Sequence, residues 1–282
     1  MVQIITDTTA CLPPAYVALH KLPVIPQIVT FGEESFYEGI DIDIPTFMER
    51  LRTTRELPKT AAPPPELFKA EFERLVPLGE PILCLHPSAE VSGTVRSATV
   101  AAQDFHGADI RVIDTRLVAA PLATLVTLAV DWAKNGQDAE AIETRLKELI
   151  PRSQVYFLVD TLEFLARGGR IGGASALLGS VLQIKPILTL QDGRVQPYER
   201  ERIHKRAVSR LKEIVAERCP PGGDGHLAVM HAGAAEQAQA LAAELGKKLE
   251  QEVVPIYDLP PAIVVHGGPG ILGVSFIVPS LN

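Results

Sequence analysis

Along the first half of the chain, short aliphatic and β-branched runs alternate with longer segments whose apolar positions recur at helical spacing. Val2 to Thr6, Val24 to Phe31, Ile82 to His86 and Ile110 to Ile113 read as strands, and Thr46 to Arg55, Pro65 to Val76, Thr94 to Phe105, Leu117 to Lys134 and Ala139 to Ile150 as helices. The fourth helix stops before Asn135-Gly136, a pair suited to ending a helix. Such alternation predicts a parallel α/β sheet. Pro151 closes the pattern, so residues 1–151 are expected to form an N-terminal parallel α/β domain.

After Pro151 the pattern changes. Val155 to Val159 reads as a strand, Gly168-Gly169-Arg170-Ile171-Gly172-Gly173 as a glycine-rich stretch, and Ala174 to Leu182 as a helix. Ile187 to Leu190 and Arg194 to Tyr198 flank Gln191-Asp192-Gly193, where Asp-Gly signals a hairpin turn. Helices over Lys205 to Cys219 and Ala234 to Glu250, with strands over His226 to His231, Val253 to Tyr257 and Ile271 to Val278, complete a mixed, partly antiparallel sheet in residues 152–282. The fold class is therefore α/β, in two domains, with an N-terminal parallel sheet and a C-terminal mixed sheet with helices. The longest apolar run, Leu117 to Val130, is interrupted by Pro121 and falls short of the roughly 20 residues that cross a bilayer. It predicts a buried helix and no integral membrane segment.

Composition narrows the functional classes. The 282 residues carry 34 acidic and 27 basic side chains, a net charge of −7 that disfavours nucleic acid as a partner. Cys11, Cys84 and Cys219 lie too far apart for a zinc motif or a disulfide framework, which suits a reducing, cytoplasmic setting. The seven histidines show no metal-ligand spacing, so no metal is expected. The opening residues have neither a basic leader nor a small-residue cleavage site and read as the first strand of the mature protein.

Ligands of parallel sheets bind beyond the carboxyl ends of the strands. Asp7-Thr8-Thr9, His86-Pro87-Ser88 leading to Ser92-Gly93-Thr94, and Asp114-Thr115 all fall there, although the same residue types also serve as ordinary helix caps. Ser92 is placed to cap the helix that starts at Thr94, and Gly93 lets backbone N–H groups approach an anion. The chain has no P-loop, no dinucleotide fingerprint and no nucleophile elbow. His266-Gly267-Gly268-Pro269-Gly270 sets an imidazole beside a glycine loop, and Gly168-Gly169-Arg170 offers a guanidinium suited to a carboxylate or phosphate. A basic segment with Arg200, Arg202, Lys205, Arg206, Arg210 and Lys212 reads as a solvated helix face or a docking surface.

Taken in order, Thr6-Asp7-Thr8-Thr9-Ala10, Thr60 before a proline-rich turn, Ser88-x-x-x-Ser92-Gly93-Thr94, Val112-Ile113-Asp114-Thr115, Asp160 through Ile171, Leu182 through Leu188 and His266-Gly267-Gly268-Pro269-Gly270 resemble the DegV family of bacterial fatty-acid-binding proteins over essentially the whole chain. The resemblance implies one long-chain fatty acid buried between two domains as the ligand, with no cofactor and no catalytic residue of the protein's own. Its carboxylate would be held by Thr60 and Ser92, with Gly93, His266, Gly267 and Gly268 around it. Arg170 and His266 match positions that matter when a separate fatty acid kinase phosphorylates the bound acid. The family's usual Thr-Ser-Gln-Pro reads Thr60-Ala61-Ala62-Pro63 here, and Gly267 replaces a hydroxyl residue.

Three readings compete: a cytosolic fatty acid carrier, an α/β enzyme with Ser92 as nucleophile and His266 as its base acting on a small carboxylate or phosphate, and an interaction module with an accidental cleft. For the carrier, Leu177 through Leu182 on a helix, followed by Ile187 and Leu188, are the expected acyl-lining residues.

Overall fold

The computed structural model describes residues 1–54, 56–178 and 184–280, and the chain divides into two compact units, Met1–Ile150 and Pro151–Asn282. The first unit runs β1 (Gln3–Asp7), α1 (Pro14–His20), β2 (Val24–Ile25), β3 (Ile28–Phe31), β4 (Glu34–Tyr37), α2 (Ile44–Thr53), β5 (Lys59–Ala61), α3 (Pro65–Leu75), β6 (Ile82–His86), α4 (Thr94–Ala102), β7 (Ile110–Asp114), α5 (Ala120–Lys134) and α6 (Ala139–Leu149). Its main sheet is parallel throughout, in the order β2-β1-β6-β7. β6 is buried at every position, as a central parallel strand covered on both faces must be. One face packs Leu83, Leu85 and Ile113 under Leu122, Leu125, Val126 and Ala129 of α5, and the other packs Ile5, Ile82 and Cys84 against Phe68, Phe72 and Ala98 of α3 and α4.

The expected strand Val24 to Phe31 is two strands in two sheets. Pro26, which has no N–H and a fixed φ, ends pairing with β1, and the chain then enters a three-stranded antiparallel sheet ordered β4-β3-β5 that the apolar pattern did not predict. The helix expected from Leu117 begins instead at Ala120, because Arg116 and Ala119 take positive φ (55° and 65°) in the preceding turn. The helix expected over Thr46 to Arg55 is α2, and Arg55 lies outside the described residues.

The second unit runs β8 (Ser153–Leu158), α7 (Glu163–Arg167), β9 (Lys185–Gln191), β10 (Arg194–Glu201), α8 (His204–Arg218), β11 (Ala228–His231), α9 (Ala235–Lys248), β12 (Ile256–Asp258), α10 (Pro261–Gly267) and β13 (Leu272–Ile277). Its six strands order as β10-β9-β8-β13-β11-β12, antiparallel except between β11 and β12. The β9–β10 hairpin turns at Asp192 and Gly193, with φ of 51° and 78°, the left-handed pair that an Asp-Gly turn supplies. One face of the sheet packs Tyr156, Leu158, Ile187, Val229, Leu272 and Val274 under Leu211, Ile214 and Val215 of α8 and Leu241 and Leu245 of α9. Gly172–Leu177 forms a 3-10 helix where an α-helix to Leu182 was expected, and residues 179–183 lie outside the described residues. Among the described residues no helix is long and apolar enough to cross a membrane.

Candidate functional site

In the first unit the parallel strands end together. Asp7 closes β1 and His86 closes β6, and His86 Nδ1 lies 2.7 Å from Asp7 Oδ2 with both side chains fully buried. Asp7 Oδ1 accepts the Thr9 backbone N–H at 3.0 Å, the Thr9 hydroxyl at 2.6 Å and Gln27 Nε2 at 3.0 Å. The same Gln27 nitrogen is 2.9 Å from Thr94 Oγ1, which is 2.8 Å from Ser92 Oγ. A hydrogen-bonded chain thus runs from the buried Asp7–His86 pair to the hydroxyl of Ser92 at the start of α4.

Ser92 does not occupy the N-cap position expected of it. Its N–H donates to Ser88 O at 3.0 Å in a turn that leaves Ser92 one residue outside, and Gly93 takes the cap. Ser92 Oγ still accepts the Thr94 N–H at 3.3 Å. Thr60, half-buried, sits on β5 opposite Val29 of β3. Two residues on, Ala62 lies so close to Gly93 that a Cβ there would be 3.3 Å from the Ala62 Cβ, so the segment after Thr60 packs on the start of α4. The structure therefore assembles Thr60's segment, Ser92 and Gly93 in one unit. Thr94, read from the sequence as part of Ser92-Gly93-Thr94, belongs to the same cluster, as does Gln27, which the sequence did not point to. For Gln27 the available signal was one polar residue after a proline within the apolar run Val24-Ile25-Pro26-Gln27-Ile28-Val29.

The second unit brings Arg170, His266, Gly267 and Gly268 together. His266 is not in a loop: it lies on the last turn of α10, a short helix with Pro261 in its first turn and Gly268, at φ 81°, as its cap. Its ring packs on Gly168, where an added Cβ would strike Nδ1. Arg170 Nη1 donates to Gly168 O at 2.8 Å, holding the guanidinium on the same turn. Burial, reinforced by the Arg170 charge, pushes the His266 pKa down to about 4. At neutral pH the imidazole is uncharged and Arg170 carries the positive charge. A Cβ at Gly268 would lie 2.6 Å from Phe164 Cδ2, and one at Gly267 would strike the Ile271 side chain, so a larger residue at either position requires repacking.

The expected acyl-lining residues are corrected in part. Ile187 and Leu188 are both buried, but Ile187 packs in the cluster beneath α8 and α9, and the alternation of a strand turns Leu188 to the opposite face. They cannot line one wall together. Leu177 is buried, Leu178 is 50% exposed, and Gly179 through Leu182 lie outside the described residues. Within the basic segment, Arg210 pairs with Glu199, Glu213 and Glu217, and Lys212 with Glu244, as expected of a solvated helix face. All three cysteines are buried and none is in a disulfide.

A parallel-sheet unit whose strand ends gather hydroxyls and a helix start, followed by a mixed-sheet unit carrying an arginine and a histidine on glycine turns, defines a two-unit α/β protein with a polar cluster in each unit. Residues 1–278 match the family model described as "Uncharacterised protein, DegV family", and the chain belongs to the DegV family. A DegV domain-containing protein of Streptomyces coelicolor is 37% identical over 275 residues, covering 97% of each chain. Among solved structures, that of a fatty-acid-binding DegV family protein from Thermus thermophilus superposes with a TM-score of 0.88 at 32% identity, covering 99% of both chains. Another, of DegV from Bacillus subtilis, described as a fatty acid binding protein, gives 0.87 at 32% identity with the same coverage.

Proposed function

We propose that this protein is a carrier that binds one long-chain fatty acid, with Thr60 and Ser92 donating to its carboxylate and the Gly93 amide beside them. The observation that carries the reading is the full-length match in fold, at 32% identity, to two DegV proteins described as binding fatty acids. The hydroxyl and amide donors at the carboxyl edge of the first unit suit an anionic oxygen ligand. In this reading the protein performs no chemistry itself and works in the cytoplasm. A separate fatty acid kinase phosphorylates the bound acid, with Arg170 and His266 serving that transfer.

Burial of each methylene is worth about 0.8 kcal/mol, so an acyl chain of roughly 14 to 18 carbons contributes on the order of 10 kcal/mol before ordering costs. Organic extraction of freshly purified protein, followed by mass spectrometry, is expected to release one fatty acid of that length per chain. Protein that is empty and also fails to bind added palmitate or oleate would overturn the carrier reading.

A further inference from the structure

Each hydrogen-bonding group between Asp7 and Ser92 has its direction fixed by the one before it. Asp7 Oδ1 accepts the Thr9 backbone N–H, a group that can only donate, so Oδ1 is an acceptor and the Gln27 amide must face it with nitrogen. Gln27 Nε2 has two protons. One goes to Asp7 and the other to Thr94 Oγ1, which therefore accepts. Thr94 is fully buried, and among the described residues the remaining partner of its hydroxyl is Ser92 Oγ, so its proton goes there. Ser92 Oγ then accepts from both the hydroxyl and the backbone N–H of Thr94, and its own proton is left to point away from the network.

We infer that Gln27 is a positioning residue which, acting through Thr94, fixes Ser92 as a hydrogen-bond donor toward the ligand and so selects a carboxylate over an uncharged head group. The inference rests on the fatty-acid reading above and extends it to the origin of head-group selectivity. Gln27 is itself held rigidly: its backbone N–H donates to Thr8 Oγ1 at 3.1 Å, its carbonyl accepts the Glu38 N–H at 3.0 Å, and its side chain is 3% exposed. A Gln27→Met side chain fills similar space but releases Thr94 from its obligation to accept. Ser92 can then turn its proton inward to Thr94 and present a lone pair outward, which repels a carboxylate oxygen and tolerates an alcohol.

The test measures binding of palmitate and of hexadecanol to wild type, Gln27→Met, Thr94→Val and Thr94→Ser. A hydrogen bond to a charged group is worth about tenfold or more in affinity, so the palmitate-to-hexadecanol preference is expected to fall about tenfold in Gln27→Met and Thr94→Val, with hexadecanol binding held within about twofold. Thr94→Ser, which restores the relay hydroxyl, is expected to restore the preference. An unchanged preference in Gln27→Met and Thr94→Val overturns the inference, as does equal weakening of both ligands, which marks a purely structural role. Wild type that binds palmitate without preferring it to hexadecanol also overturns the inference while leaving the carrier reading intact. Wild type that binds neither ligand overturns the carrier reading and this inference with it.

Discussion

The imidazole of His86 and the carboxylate of Asp7 meet at 2.7 Å with no solvent exposure on either side chain. That imidazole meets the Phe68 ring at right angles, with ring centroids 5.2 Å apart, and its Nε2 has no hydrogen-bond partner among the described residues. The pair therefore tethers β1 to β6 at the end where the hydroxyl cluster begins.

Removing one member of a buried pair strands the other without its partner, which typically costs about 3 to 5 kcal/mol. Asp7→Ala and His86→Ala are each expected to destabilise the protein by about 3 kcal/mol, with a double mutant less destabilised than the sum by at least about 1 kcal/mol. Urea unfolding of the four proteins in a mutant cycle measures this. Additive effects would show that the two side chains do not depend on one another.

Glycine turns fix the imidazole of the second unit in the same way. Gly268 holds φ at 81° with Phe164 where a Cβ would go, and Gly168 leaves room for the His266 ring. Gly268→Ala combines backbone strain of about 1 to 3 kcal/mol, since φ 81° with ψ 171° is open to little but glycine, with displacement of Phe164, and is expected to lower stability by roughly 3 kcal/mol in total. Gly169 also has a positive φ, of 70°, but nothing stands within 4 Å of an added Cβ, so Gly169→Ala isolates the backbone term alone. Thermal unfolding that shows equal losses for the two variants would remove the Phe164 contact from the account.

Burial depresses the proton affinity of His266 from an ordinary value of 6.5 to about 4, and burial also lowers that of His226. Between pH 6.5 and about 4 the unfolded chain binds more protons at His266 than the folded one, so the stability this residue contributes is full above pH 6.5 and falls as pH drops toward 4. The His266 share is at most about 3 kcal/mol. His266→Gln, uncharged throughout, is expected to flatten the pH dependence of the urea midpoint across that window while leaving the His226 contribution. An unchanged slope would place the protonation of His266 outside it.

The parallel strands were legible because β1, β6 and β7 are short runs rich in aliphatic and β-branched residues that each end on a polar side chain, Asp7, His86 and Asp114, and the hairpin because Asp192-Gly193 favours left-handed backbone. What escaped follows from local signals that tertiary contacts overrule. Pro26 hid a change of sheet inside one apolar run, and α10 was missed because a seven-residue helix between prolines and glycines shows too few turns for periodicity to register. Thr60 and Ser92 could be singled out in order along the chain. Gln27 could not, since its importance lies in being 2.9 Å from Thr94, 67 positions away.

Affinity and head-group recognition are expected to separate. In the proposed carrier, Thr60→Ala and Ser92→Ala would each remove one hydrogen bond to a charged carboxylate, worth about 1.5 to 3 kcal/mol, against an acyl contribution on the order of 10 kcal/mol. Each variant is expected to bind palmitate about ten- to a hundredfold more weakly and still bind it. Methyl palmitate, which lacks the charge, is expected to lose as much on wild type and little further on the variants. Tight binding of the ester to wild type, with both variants unaffected, would move the carboxylate to other residues.

Arg170 and His266 are expected to behave differently from Thr60 and Ser92. The imidazole is uncharged at neutral pH, so the fixed positive charge on this turn is the guanidinium, which the Gly168 carbonyl holds at 2.8 Å. A preorganised donor of that kind acts on charge that develops during phosphoryl transfer, where its loss typically costs about 3 to 4 kcal/mol, or roughly a hundred- to a thousandfold in rate. Arg170→Ala and His266→Ala should therefore retain bound oleate while slowing acyl phosphate formation by a fatty acid kinase with ATP. Ala61, Ala62 and Gly267 bear on the same point: they remove polar side chains that the family pattern carries, and Gly267 is now closed over by Ile271, so an added hydroxyl at that position requires Ile271 to move. The assay is single-turnover phosphorylation of carrier-bound oleate, with bound lipid quantified in parallel. Equal rates in wild type and both variants would retire these two residue roles, and wild type inactive with every kinase offered would retire the transfer step while leaving the carrier untouched.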